Sequence, residues 1–239
     1  MEDLELFAAA QRLPTARRPL LGLTVLVVED SRFACEAMRL MCLRSGARIR
    51  RADCLKSARR HLQAYRPSAV IIDLGLPDGS GTELIAECAN SNPRVGVVLG
   101  TSGDLGREQE AIDAGADGFL QKPISTLGEF QGAVLKYLPA DWQQRRPAAL
   151  SDEAIEPDML AFQDDLAHAA DILSEGEDAK NLDYVAQFVG GVARSIGDGP
   201  LADAAQGVVT ARAAGQPLGA ATAAMAGLVQ DRLEKRVAI

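Results

Sequence analysis

Charged side chains follow apolar, strand-like runs at three well-separated points of the chain: Glu29 and Asp30, then Asp73, then Lys122. If the runs are parallel strands, these side chains meet at the carboxyl edge of one sheet, where open α/β sheets build their sites. Three carboxylates suit a hard divalent cation such as Mg²⁺, which prefers oxygen ligands. A lysine beside them can stabilise a transferable phosphoryl group, because that transfer depends on positioning and charge neutralisation. The pattern predicts a magnesium and phosphoryl site.

Strand and helix signals alternate regularly before residue 139. This alternation is what a parallel sheet needs in order to bring these side chains to one edge. The predicted strands are 24–28, 48–52, 69–73, 95–99 and 117–120, and the predicted helices are 31–45, 54–65, 81–91, 105–114 and 125–138. Near-continuous apolar strands are typical of a parallel sheet that is covered on both faces. We therefore expect an α/β, doubly wound, five-stranded parallel sheet.

The second part of the chain has a different pattern, without β-branched strand runs. Four amphipathic segments are predicted as helices, at 157–174, 179–196, 200–214 and 218–236, with Gly and Pro at the breaks. Short connections between four helices favour an all-α four-helix bundle. The predicted organisation is an N-terminal extension (1–21), an α/β domain (22–138), a linker (139–155) and a helical bundle (156–239).

Composition narrows the class of protein. A chain of 239 residues with 47% hydrophobic and 24% charged residues has room for one large domain or two modest ones. No run of eighteen apolar residues predicts a membrane span, and the acidic N-terminus argues against a signal peptide. The four cysteines lack metal-ligand spacing and are predicted to be reduced. These features favour a cytoplasmic protein without a membrane partner.

Charge is distributed unevenly along the chain. Residues 1–150 carry 19 basic and 18 acidic side chains, whereas residues 151–239 carry 6 and 15. Binding to a phosphate backbone rests on neutralisation by Lys and Arg, so a net charge of −9 in the second part argues against DNA binding there. The expectation at this point is a protein with no DNA partner.

The first domain resembles the receiver domain of bacterial two-component response regulators, which has a flavodoxin-like fold. The matching motifs are the acidic pair Glu29 and Asp30, Asp73 with its loop 76–81, and Lys122 followed by proline. The resemblance implies that Asp73 is the phosphoacceptor, and that Mg²⁺ is held by Glu29, Asp30, Asp73 and the backbone carbonyl of Gly75. It also implies that Lys122 contacts the phosphoryl group, which a histidine kinase or a histidine-phosphotransfer protein would donate.

One position departs from the family pattern. Receivers carry Thr or Ser after the fourth strand, and a gapless count back from Lys122 places Gly100 there. Either a one-residue shift lets Thr101 contact the phosphoryl group and act in the switch, or the domain lacks that hydroxyl. Phe119 stands where the family has its switch aromatic, and it could equally be a core residue.

A stretch in the second part, residues 186–197, resembles the core helix of histidine-phosphotransfer domains. Gln187 replaces the phosphoaccepting histidine, and Gly190 replaces the usual lysine. Glutamine cannot carry a phosphoryl group, so the resemblance implies a pseudo-phosphotransfer bundle that retains a docking shape. Gly190 and Gly191 cost helix stability and would keep a surface flat for a partner.

The combined prediction is a response regulator, not an enzyme beyond its own phosphoryl chemistry, whose bundle binds a signalling protein. A phosphorelay intermediate, with His168 as its acceptor, and a dimerisation or scaffold module remain as alternatives. A cluster of arginines around the second strand could also dock the acidic bundle within the chain: Arg44, Arg48, Arg50, Arg51, Arg59 and Arg60.

Overall fold

The computed structural model describes residues 14–15, 17–139, 153–155, 158–174 and 179–234, and a parallel sheet lies at the centre of their first part. Its strands are β1 (Thr24–Val28), β2 (Arg48–Ala52), β3 (Ala69–Asp73), β6 (Val97–Ser102) and β7 (Gly118–Gln121). The spatial order is β2-β1-β3-β6-β7, and every pairing in this sheet is parallel. The predicted five-stranded parallel sheet is confirmed. The strand order changes direction between β1 and β3. Open α/β sheets bind ligands in the crevice that forms at this point, beyond the carboxyl ends of the strands.

Helices cover both faces of the sheet. They are α1 (Arg32–Ser45), α2 (Leu55–Ala64), α3 (Gly81–Asn90), α4 (Glu108–Asp113) and α5 (Leu127–Lys136). Alternate strand residues point to opposite faces, so one apolar cluster lies beneath α1 and α5 and a second lies beneath α2, α3 and α4. This two-sided burial explains why the strands are continuous apolar runs.

Two elements differ from prediction. The fourth strand of the sheet, β6, extends to Ser102 instead of ending at residue 99, because its pairing with β3 continues as far as Asp73 and Thr101. The predicted helix 105–114 is a 3₁₀ turn (Leu105–Arg107) followed by the short α4. Asp104 caps that turn by accepting a hydrogen bond from the Gly106 amide at 2.9 Å.

A short hairpin follows β3 and leads into α3. Its strands are β4 (Gly75–Leu76) and β5 (Gly79–Ser80). Asp78 lies at its tip, and its carboxylate accepts hydrogen bonds from the backbone amides of Leu55 and Lys56. The hairpin is therefore fastened to the start of α2, which holds Gly75 close to the end of β3.

Four further helices lie at the C-terminal side: α6 (Met159–Ser174), α7 (Ala179–Ile196), α8 (Gly199–Ala213) and α9 (Gly219–Glu234). We call them the C-terminal helical region. They share one apolar cluster, in which each helix packs on the next and α9 packs back on α6. None of the helices described is long and apolar enough to cross a membrane.

The predicted linker 139–155 lies partly outside the described residues, since residues 140–152 are not described. Its last three residues pack on the α/β domain. Ala154 forms a β-bridge with Thr126, the Leu127 amide donates to the Glu153 carbonyl at 3.0 Å, and Ile155 packs against the apolar cluster beneath α1. The predicted extension 1–21 likewise lies mostly outside the described residues.

Candidate phosphoryl and metal site

Carboxylates from two neighbouring strand ends meet at the carboxyl edge of the sheet. Glu29 and Asp30 directly follow β1, and Asp73 is the last residue of β3, the strand beside it. One oxygen of each carboxylate lies within 4.8 Å of the others. Glu29 is 2% exposed and Asp73 is 8% exposed, so the negative charge is concentrated where solvent screens it poorly.

Lys122 brings a positive charge to these carboxylates. It follows β7, and its Nζ donates a hydrogen bond to Asp73 Oδ2 at 2.8 Å and lies 2.5 Å from Glu29 Oε2. The peptide bond between Lys122 and Pro123 is cis. One ammonium group thus faces three carboxylates, and an excess of negative charge remains.

The pKa values of these groups follow from burial and mutual repulsion. Burial raises the pKa of Glu29, and the nearby Asp73 and Asp30 raise it further against the opposing effect of Lys122. Burial, and then the charge of Asp73, raises the pKa of Asp30 to about 7. Burial alone would lower the pKa of Lys122, but Asp73 and Glu29 outweigh it and the pKa is raised. The site holds more like charge than its lysine balances.

The donor set fits a magnesium ion. All three side chains offer carboxylate oxygens, which Mg²⁺ prefers. A single cation, the Lys122 ammonium, is shared between Glu29 Oε2 and Asp73 Oδ2, and Asp30 adds a third carboxylate to the same cluster. A divalent ion would also offset the charge excess. Glu29, Asp30 and Asp73 are therefore the residues that would hold it.

Gly75 lies beside the Asp73 carboxylate. Its amide donates to Asp73 Oδ1 at 3.3 Å, and it lines the same cleft as Glu29, Asp30 and Lys122. The backbone is thus close enough to contribute to the site. The role of its carbonyl as a magnesium ligand remains a prediction.

Thr101, and not Gly100, lies level with Asp73. The register of β3 with β6 pairs Asp73 with Thr101 and Ile72 with Gly100. Thr101 is fully buried, and its hydroxyl donates to the Leu120 carbonyl at 2.7 Å. The residue level with Asp73 is thus one position after the one that the gapless count gives. Of the two alternatives, the structure favours Thr101 as the hydroxyl near the site.

Phe119 packs on the face of the sheet that α2, α3 and α4 cover, and it is partly buried against the apolar cluster beneath those helices. A Cβ atom added to Gly100 would lie 3.3 Å from the Phe119 ring and 2.6 Å from Ala111 Cβ. Phe119 therefore fills the space left by a glycine in the adjacent strand. This packing is that of a core residue, and its role in a switch remains a prediction.

Gly81 holds Asp73 in place through close backbone contact. A Cβ on Gly81 would lie 2.0 Å from the Asp73 carbonyl oxygen. We expect Gly81→Ala to lower the free energy of unfolding by about 1–3 kcal/mol, because the backbone must shift to admit the methyl group. Urea denaturation of the natural protein and of Gly81→Ala measures this difference in the free energy of unfolding.

Gly191→Ala is the matched control for Gly81→Ala. A Cβ on Gly191 meets nothing within 4 Å, and the residue lies inside α7. That substitution is expected to raise the free energy of unfolding by about 0.5–1 kcal/mol. Equal effects of the two substitutions would contradict the steric argument.

Comparison with known proteins agrees with this geometry. The family model of the response regulator receiver domain matches residues 25–131. Residues 25–131 are a receiver domain. The predicted resemblance is confirmed over these residues, and the site described above occupies the carboxyl edge of the receiver sheet.

Relatives of the chain include transcriptional regulators. It is 31% identical over 160 residues to the KDP operon transcriptional regulatory protein KdpE of Escherichia coli K12, which covers 66% of each protein. It is 33% identical over 146 residues to the transcriptional regulatory protein KdpE of Mycobacterium tuberculosis H37Rv, covering 60% of this chain and 61% of that protein. The chain thus matches somewhat less than two thirds of the length of these relatives.

Among solved structures, the chain is similar to the receiver domain of sensor histidine kinase PA1611 from Pseudomonas aeruginosa PAO1. The identity is 22% and the TM-score 0.44, covering 48% of this chain and 97% of that one. That structure has a magnesium ion coordinated in its active site cleft.

The expectation of no DNA partner is wrong. Relatives at 31% and 33% identity are transcriptional regulators, which contradicts it. The expectation rested on the net charge of residues 151–239. Net charge is a sum over a region and predicts only non-specific attraction to nucleic acid. A specific contact depends instead on the side chains of the local surface.

The C-terminal helical region packs against the receiver at this same edge. Asp165 of α6 accepts hydrogen bonds from Ser31 Oγ at 2.7 Å, the Arg32 amide at 2.8 Å and the Phe33 amide at 3.1 Å. Tyr184 of α7 donates from its hydroxyl to Asp30 Oδ2 at 2.6 Å. Sequence reasoning missed both residues, because neither belongs to a motif.

Gln187 faces the receiver site from α7. Its Oε1 lies 3.4 Å from the position that a Cβ on Gly75 would occupy. A cavity of about 390 Å³ separates the two sides, lined by Asp73 and Lys122 on the receiver and by Gln187 and Arg194 on α7. Arg194 Nε is buried and has no hydrogen-bond partner among the described residues.

Two other predicted features lie elsewhere. His168 is exposed on α6, with its ring packed edge-on against Phe188 at 5.9 Å. In the arginine cluster, Arg59 pairs with Glu87 on the neighbouring α3, and Arg44 pairs with Glu153. The helical region docks mainly through the start of α1, whereas three of the six arginines lie on strand β2. The prediction that the arginine cluster docks the acidic helical region is therefore wrong.

Proposed function

We propose that this chain is a response regulator in which Asp73 accepts a phosphoryl group from a phosphohistidine on a histidine kinase or phosphotransfer protein. The observation that carries the proposal is the 2.8 Å contact of Lys122 Nζ with Asp73 Oδ2 beside the carboxylates of Glu29 and Asp30. Beyond this chemistry at its own site, the chain is not proposed to be an enzyme. A cytoplasmic location also remains a prediction.

In this reaction an Asp73 carboxylate oxygen forms a bond to phosphorus as the donor's nitrogen–phosphorus bond breaks. The imidazole leaves with the bonding electrons. Lys122 neutralises charge on the phosphoryl oxygens, and its fixed position beside Asp73 costs no reorganisation during transfer. Magnesium, when held by Glu29, Asp30 and Asp73, supplies further neutralisation of those oxygens.

The hydroxyl of Thr101 is placed to respond to the product. In the structure it donates to the Leu120 carbonyl, on the strand that leads to Lys122. Phosphorylation would offer it a charged acceptor instead, and an ionised acceptor makes the stronger hydrogen bond. The proposed switch is this exchange of partner.

For the C-terminal helical region we retain the pseudo-phosphotransfer role. Its four helices share one core, and the motif of residues 186–197 lies on α7 with Gln187 exposed toward the receiver. Glutamine lacks a nucleophilic nitrogen, so the region would bind a signalling protein without relaying phosphate. Self-association and an active relay through His168 remain the alternatives.

Labelling with phosphoramidate and Mg²⁺ tests the proposed chemistry. We expect one phosphoryl group per chain, labile to base, on the peptide that contains Asp73, and no label when EDTA removes the metal. Mass spectrometry of protease fragments locates the group. Acid-labile label on α6 would instead identify His168 as an acceptor and support the relay, and absence of any label would contradict the proposal.

A further inference from the structure

We propose that α7 occupies, within the same chain, the receiver surface on which a phosphohistidine-bearing domain must dock. Small phosphodonors then reach Asp73 directly, whereas a protein donor reaches it only after the C-terminal helical region has moved away. The inference rests on the proposed function of Asp73, and its test separates the two.

The first support is the attachment of α6 to the start of α1. Asp165 is 2% exposed and accepts three hydrogen bonds, from Ser31, Arg32 and Phe33. These donors lie at the N-terminus of α1, where backbone amides lack helical partners and a negative charge is favoured. They directly follow Asp30 in sequence. The helical region is thus fastened beside the acidic site by a buried carboxylate.

Apolar packing reinforces the attachment. Phe33 of α1 belongs to the apolar cluster of the C-terminal helical region, and its ring meets that of Phe162 edge-on at 6.2 Å. Phe33 is only 4% exposed, so the region buries a side chain that the receiver would otherwise present to solvent. The contact between Phe33 and the helical region therefore belongs to the same apolar core that holds the four helices together.

The second support is the fit of α7 over the cleft. Tyr184 contacts Asp30, and Gln187, one helical turn further on, approaches Gly75. At the next turn Gly191 meets the receiver loop, where a Cβ on Gly103 would lie 3.5 Å from Gly191 Cα and 3.0 Å from an Arg194 nitrogen. Three successive turns of α7 therefore face the receiver, and Gln187 is the central one.

The space that remains decides which donors can enter. The cavity between α7 and the receiver measures about 390 Å³. A helix is at least about 10 Å across with its side chains, so two turns of it occupy roughly 800 Å³. A donor such as phosphoramidate or acetyl phosphate fits this space, whereas a helix presenting phosphohistidine does not. The helix already present must leave first.

A reducible lock tests this arrangement in the full chain. The variant with Gly103→Cys and Gly191→Cys puts one thiol on each side of the contact, because a Cβ on Gly103 would lie 3.5 Å from Gly191 Cα. Mass spectrometry shows the bond in the oxidised protein. Labelling is then compared before and after reduction, with phosphoramidate and with phosphohistidine domains charged on their histidine.

With the lock oxidised, we expect labelling by the protein donor to be about a hundredfold slower than in the reduced form, since only the undocked fraction accepts it. Phosphoramidate labelling should agree within about twofold between the two forms. The single variant Gly191→Cys controls for oxidation of native thiols, of which Cys54 is the least buried. An open variant, Asp165→Ala, should accept the protein donor at least about tenfold faster than the natural chain.

Equal protein-donor rates in the oxidised and reduced forms would overturn the inference. So would an Asp165→Ala variant that accepts phosphate from phosphohistidine domains no faster than the natural chain does. Failure of the proposed function has a different signature, because phosphoramidate would then label neither form.

Discussion

Asp73→Asn is expected to abolish phosphoryl labelling, reducing it at least about a hundredfold, because an amide offers no carboxylate nucleophile. The fold should survive the change. Lys122 keeps its contact with Glu29 Oε2, and one of three mutually repelling carboxylates is removed. Labelling with phosphoramidate and Mg²⁺, alongside circular dichroism, measures the two effects separately.

Asp78→Asn is the matched control for Asp73→Asn. Asp78 lies in the hairpin that follows β3, and it caps the start of α2 without joining the acidic cluster. Its substitution should leave labelling within about twofold of the natural protein, since asparagine can also cap. Label that persists in Asp73→Asn and maps to Asp30 or Glu29 would show that the acceptor has been misassigned.

Lys122→Met is expected to lower the free energy of unfolding by roughly 3–5 kcal/mol in the absence of divalent ions. Lys122 is nearly buried, and its removal leaves Glu29 and Asp73 without a counter-charge. Breaking a buried ion pair on one side costs more than the pair contributes, because the remaining charge stays desolvated. Magnesium should recover part of the loss by restoring positive charge at the same carboxylates.

Denaturation with urea, in EDTA and in magnesium, measures this effect. Lys56→Met serves as the control, because Lys56 is exposed on α2 and its side chain lies outside the site. That substitution should change the free energy of unfolding by less than about 0.5 kcal/mol. Similar stabilities for the two variants would show that the carboxylates are not balanced by Lys122.

The sheet and the meeting of the carboxylates with Lys122 could be predicted from sequence because both follow from local patterns. Apolar runs define the strands, and parallel strands deliver their last residues to one edge, so Asp73 and Lys122 had to be close. The exception was the choice between Gly100 and Thr101. A count along the chain assumes a fixed length for the connection to Lys122, whereas the pairing of β3 with β6 shows directly which residue lies level with Asp73.

The docking of the C-terminal helical region could not be predicted in this way. Ser31 and Asp165 are 134 residues apart, and their contact is one buried hydrogen bond. Summed charge suggested instead that the arginines near β2 would meet the acidic helices. Burial and hydrogen-bond geometry select the surface, and neither is visible in a charge count. The same limit applies to the expectation about DNA.

The bridge of Ala154 with Thr126 brings the chain back to the receiver only a few residues before α6 begins. So short a tether gives α7 a local concentration at the receiver in the millimolar range. A free domain present at micromolar concentration would need roughly a thousandfold higher affinity to compete equally for the same surface. The abundance of a partner, as well as its fit, would then set the threshold at which this chain responds.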